Sequence, residues 1–67
     1  MSTPPDGYAR VDRIMEMLDP SDGVRRVGIG ITTSTGSKVV FLTVERALEL
    51  GIYGAYRRRT LVPLPLE

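Results

Sequence analysis

The chain of 67 residues has no cysteine, no histidine and no tryptophan, and it has a single phenylalanine. Without cysteine no disulfide can form, and without histidine as well a zinc site of the usual ligands is excluded. The hydroxyls of Ser34, Thr35 and Ser37 have no imidazole to activate them as nucleophiles. Long apolar runs are also missing. The longest, Val39 to Leu42, is far too short to cross a bilayer, and Met1-Ser2-Thr3-Pro4-Pro5-Asp6 has neither the basic start nor the apolar core of a secretory leader. The expectation is a cytoplasmic protein with no membrane contact, no cofactor and no metal.

At this length the chain holds one small domain, in the range where a single core barely offsets the entropy of ordering the backbone. With disulfides and zinc excluded, self-association or docking on a larger protein is the remaining common source of stability. Net charge is only +1, but it is unevenly spread, with five acids and four bases in residues 1–33 against three acids and five bases in residues 34–67. The positive charge gathers in Arg57-Arg58-Arg59, with Arg25-Arg26 as a second pair. Eight of the nine bases are arginine, the residue suited to bidentate recognition of phosphate or carboxylate; a high-GC genome gives the same bias.

Residues 1–5 read as a disordered lead-in, followed by a single domain over residues 6–67. Asp6 is placed to cap a first helix. Tyr8, Val11, Met15 and Leu18, with Ile14 beside them, fall at helical spacing, and Asp19-Pro20-Ser21-Asp22-Gly23 ends the segment. Val27, Ile29 and Ile31 then alternate with Arg26, Gly28, Gly30 and Thr32, as in a strand with one apolar face. The turn Ser34-Thr35-Gly36-Ser37 leads into Lys38 to Leu42, which is apolar on both faces and so reads as a central strand. Thr43 caps a second helix that Gly51 stops. Ile52 to Arg59 is open between helix and loop. The tail over residues 60–67 is extended because of Pro63 and Pro65, and it suits an edge strand or a peptide added to a partner's sheet. The fold class expected is α+β in the order α-β-β-α, with a third edge strand from the tail.

Two motifs fail on inspection. Gly28-Ile29-Gly30-Ile31-Thr32-Thr33 has Thr33 where a dinucleotide fingerprint needs glycine, and it opens no helix; Gly36-Ser37-Lys38 lacks the upstream glycine of a phosphate-binding loop. The bare face of Gly28 and Gly30 instead implies close approach of another element. Lys38, the sole lysine, reads as a solvated strand residue. The acids are scattered singly, so no catalytic constellation is expected.

Leu42-Thr43-Val44-Glu45-Arg46-Ala47-Leu48-Glu49-Leu50-Gly51-Ile52, with Tyr56-Arg57 beyond, resembles the first helix and turn of the helix-turn-helix in excisionase-type DNA-binding proteins. The resemblance covers about a quarter of the chain and implies a recognition helix near Tyr53 to Arg59. It departs from that family in its short first helix, in Gly54 and in the preceding hairpin, and it reads as the chance likeness of a capped amphipathic helix.

Candidate partner-binding residues are Tyr53, Tyr56, Arg57, Arg58 and Arg59, which join aromatic faces to a cationic run, together with Arg25 and Arg26. Candidate interface residues are Gly28, Gly30, Val62, Leu64 and Leu66. The sequence points to a small non-enzymatic protein-binding accessory or regulator, by analogy of the phage or mobile-element type, acting as a homodimer or on a larger protein. The alternatives are a nucleic-acid-binding regulator using the arginines and a small structural subunit of an assembly.

Overall fold

In the computed structural model, which describes residues 3–66, the alternation of Val27, Ile29 and Ile31 builds β2 (Arg25–Thr33) into the interior of one antiparallel sheet. Its neighbours are β1 (Tyr8–Leu18) and β3 (Gly36–Thr43), and α1 (Val44–Glu49), α2 (Ile52–Arg58) and β4 (Leu61–Pro63) complete the chain. The sheet order is β3-β2-β1-β4, curled into a half-barrel. Its inner face presents Ala9, Val11, Val27, Ile29, Ile31 and Leu42, which are buried against Ala47, Ile52 and Ala55 from the two helices. Val62 of β4 and Leu66 of the tail close the same cluster. Among the described residues no helix is long and apolar enough to cross a membrane.

The expected N-terminal helix is not formed: its residues make β1, so the α-β-β-α order gives way to a mostly β chain. A β-bulge explains how the sequence misleads. Val11 pairs with Ile31 and Arg13 with Gly30, so Asp12 is the extra residue. The bulge carries the inner face from Val11 to Ile14, a spacing of three that imitates one helical turn. Met15 and Met17 then fall on the outer face, opposite Gly28 and Arg26. A strand with apolar residues on both faces and a three-residue step has no clean period of two.

The β2–β3 hairpin turns at Ser34-Thr35, with Thr33 paired to Gly36. Thr33 Oγ1 donates to Gly36 O at 3.1 Å and receives Thr35 N at 3.3 Å, which ties the turn to the strand it leaves. The expectation of a central strand at Lys38 to Leu42 is also corrected, because β3 lies at the edge of the sheet. Val40 and Leu42 point inward, whereas Val39 and Phe41 stand on the outer face without cover from a neighbouring strand.

Thr43 Oγ1 accepts the Arg46 amide at 3.1 Å and caps α1. Gly51, at φ 69°, turns the chain between α1 and α2. Residues 52–58, open in the sequence, are helical. The tail returns as β4 beside Tyr8–Arg10, with the Leu64 amide donating to Gly7 O at 2.9 Å. Of the expected lead-in, residues 1 and 2 lie outside the described residues, while Pro4 is buried and Pro5 O accepts the Tyr8 amide at 3.2 Å.

Candidate functional site

β4 pairs only with Tyr8–Arg10, so the edge of β1 opens just beyond it, at the bulge. There the last turn of α2 comes alongside, and Arg10, Asp12, Tyr56, Arg57 and Arg59 line a cleft of about 420 Å³. Two of these residues, Asp12 and Arg59, are placed by irregularities of the backbone. The bulge at Asp12 turns its carboxylate toward Arg10, whose Nε donates to Asp12 Oδ1 at 2.8 Å, and toward the hydroxyl of Thr32. The hydrogen bonds from Thr32 and then Arg10 hold the Asp12 carboxyl below its ordinary value despite slight burial. Asp12 is therefore a fixed anion that orients Arg10.

On the other wall, α2 ends in a left-handed residue that is not glycine. Arg59 sits at φ 58°, ψ 40°, and the amides of Arg59 and Thr60 both reach Ala55 O. That cap geometry favours glycine, and a side chain there costs on the order of 1 kcal/mol. Strain of this kind is retained where the side chain has a task. The left-handed turn leaves Arg59 lining the cleft beside Arg57 and Tyr56.

The remaining candidate residues lie away from the cleft. Arg58 points elsewhere: a Cβ built on Gly54 would lie 2.8 Å from its guanidinium, so this side chain lies folded over the helix backbone. Arg26 is committed to the β1–β2 loop, with Nη2 donating to Asp22 Oδ2 at 2.7 Å and Nε to Asp19 Oδ2 at 3.4 Å. Arg25 pairs with Leu18 at the far end of β1, roughly 25 Å from Arg10 at the rise of an extended strand. Tyr53 is likewise occupied. Its hydroxyl donates to Glu16 at 3.1 Å and ties α2 to β1, and burial with the neighbouring carboxylate raises its pKa above the ordinary value.

The residues expected at an interface divide in two. Val62 and Leu66 are buried in the chain's own core and Leu64 packs partly against it. Gly28 is covered from within the sheet, since a Cβ there would meet Met17 Cε and Phe41 Cε1 at 3.3 Å. Gly30 has more room, with Arg13 Cβ at 3.5 Å. The element that approaches the bare face is thus a pair of side chains from β1 and β3.

Arg10 and Asp12 were not among the candidates because a helical reading places them on a solvent face. The signal available in the sequence was the alternation Ala9, Val11 before a three-residue step to Ile14. No group of three or more carboxylates that could hold a metal ion occurs among the described residues. No protein-family model, no curated protein and no solved structure matches this chain.

Proposed function

We propose that this chain is a small non-enzymatic accessory or regulatory protein that binds an acidic segment of a larger protein in the cleft between the β1 bulge and the end of α2. The observation that carries the reading is Arg59, which lines the cleft with Arg57 and Tyr56 from a left-handed backbone conformation that favours glycine. Arginine offers a planar pair of donors to a carboxylate, and the exposed face of Tyr56 suits a partner chain lying across it. Asp12 sets Arg10 on the opposite wall. A cytoplasmic setting belongs to the same proposal, since a chain without cysteine needs no oxidising compartment to fold.

A protein partner fits better than nucleic acid. The cations are divided between two ends of β1, Arg26 is neutralised by Asp19 and Asp22, and the cleft itself contains Asp12. A phosphate backbone rewards a continuous basic track. The test is titration with a glutamate-rich peptide and, separately, with duplex DNA, at physiological salt. Arg57→Ala and Arg59→Ala should each weaken peptide binding about tenfold, the effect of losing one charge-assisted contact. Arg58→Ala should leave it within about twofold, since that guanidinium is turned away. Equal losses at all three positions would mean unspecific charge attraction. A sub-micromolar, sequence-selective DNA complex, its salt slope falling by about 0.9 for each phosphate contact removed, would replace the proposal with the nucleic-acid reading.

A further inference from the structure

The second unsatisfied surface is the open edge of β3, and the argument for it does not depend on the cleft. An edge strand presents a row of unpaired backbone donors and acceptors that proteins normally blunt with proline, bulges, charge or a short length. The opposite side of this sheet is blunted by short length, by proline and by a bulge. β4 is three residues long and ends in Pro63, and the part of β1 beyond it is bulged at Asp12 and tied to α2 through Tyr53 and Glu16. β3 is different. It runs for eight residues in unbroken register with β2, contains no proline, and has Lys38 as its one charge. On the same strand Val39 and Phe41 are 58% and 57% exposed.

We infer that β3 pairs antiparallel with β3 of a second copy about a twofold axis, joining two four-stranded sheets into one. The strand is complementary to itself. Pairing centred on Val40 sets Val39 of one copy opposite Phe41 of the other on the outer face, an aromatic and β-branched pair of the kind that stabilises neighbouring strands. It also sets Lys38 opposite Leu42, leaving the two lysines about 13 Å apart along the strands, beyond the screening length of about 8 Å at physiological salt. A twofold closes the assembly at two copies, because each protomer has one such edge.

Surface area agrees. A compact monomer of this mass exposes about 4,200 Å², whereas this chain exposes 4716 Å². That surplus of about 500 Å² includes the exposed faces of Val39 and Phe41, and because area does not set affinity the dimer is sought over a wide range of concentration.

The experiment is sedimentation equilibrium of the full chain from low micromolar to submillimolar concentration, with hydrogen exchange read at the β3 amides over the same range. The mass should rise from one chain of 7.4 kDa to two, and protection at residues 37–43 should rise with it. The double variant Val39→Lys with Phe41→Lys changes two side chains that are more than half exposed, one of which, Phe41, also rests against Gly28, and it should stay at the mass of one chain. A mass of one chain throughout, or a dimer formed without added protection on β3, would overturn the inference. Should the double variant fail to fold, the exchange data on the unaltered chain decide alone. Arg57→Ala with Arg59→Ala should still dimerise, so failure at the cleft and failure at the edge are seen separately.

Discussion

Arg59 shows how a residue's cost can reveal its use. The run Arg57-Arg58-Arg59 was legible in the sequence as a cationic feature, but nothing in it says that the three side chains diverge. That depends on where α2 stops. With Arg57 and Arg58 in the last helical turn and Arg59 in the left-handed cap, one guanidinium folds back over Gly54 while its two neighbours line the cleft. Arg59→Gly removes the strain and the cationic side chain together. It should raise stability by about 0.5–1 kcal/mol, offset in part by the greater entropy of glycine when unfolded. Thermal unfolding of the variant should shift upward by a few degrees while affinity for the glutamate-rich peptide falls. A variant that loses stability shows that Arg59 is kept for the fold.

At the level of elements, the hairpin at Ser34-Thr35, the Thr43 cap and the Gly51 turn are local, and their residues announce them. β1 is not local. Its strand character comes from pairing with β2 on one side and β4 on the other, and its bulge breaks the alternation that would have shown it. The position of β3 was hidden because a strand apolar on both faces reads as central, whereas Val39 and Phe41 here stand exposed on an edge strand. The structure also separates two glycines that the sequence treats alike. At Gly28 an added side chain must push aside Met17 and Phe41, whereas at Gly30 the nearest atom leaves ordinary contact distance. Gly30→Val should therefore be more stable than Gly28→Val by about 1 kcal/mol, the usual scale of overpacking, with β propensity helping the former. Chemical denaturation of the two variants measures the difference. Equal effects would mean that Met17 and Phe41 yield freely.

For the whole molecule, the fold sets two surfaces apart: a polar cleft where β4 ends and α2 reaches β1, and an apolar edge on β3 at the other side of the sheet. The polar cleft was half legible. Its arginines and Tyr56 stood out by type, whereas Arg10 and Asp12 join them only because the sheet brings residues some 45 positions apart to one edge. Small net charge matters here, because a chain of +1 has little long-range field and must recognise an acidic partner by local geometry. The central claim is that recognition is confined to that cleft, and amide chemical shifts of the isotope-labelled chain, followed through the peptide titration, test it most directly. The account predicts saturable shifts at residues 10–13 and 56–60, with Arg25 and Arg26 unmoved as an internal control at the other end of β1. Shifts of equal size at both arginine clusters, or none in the cleft, would contradict it.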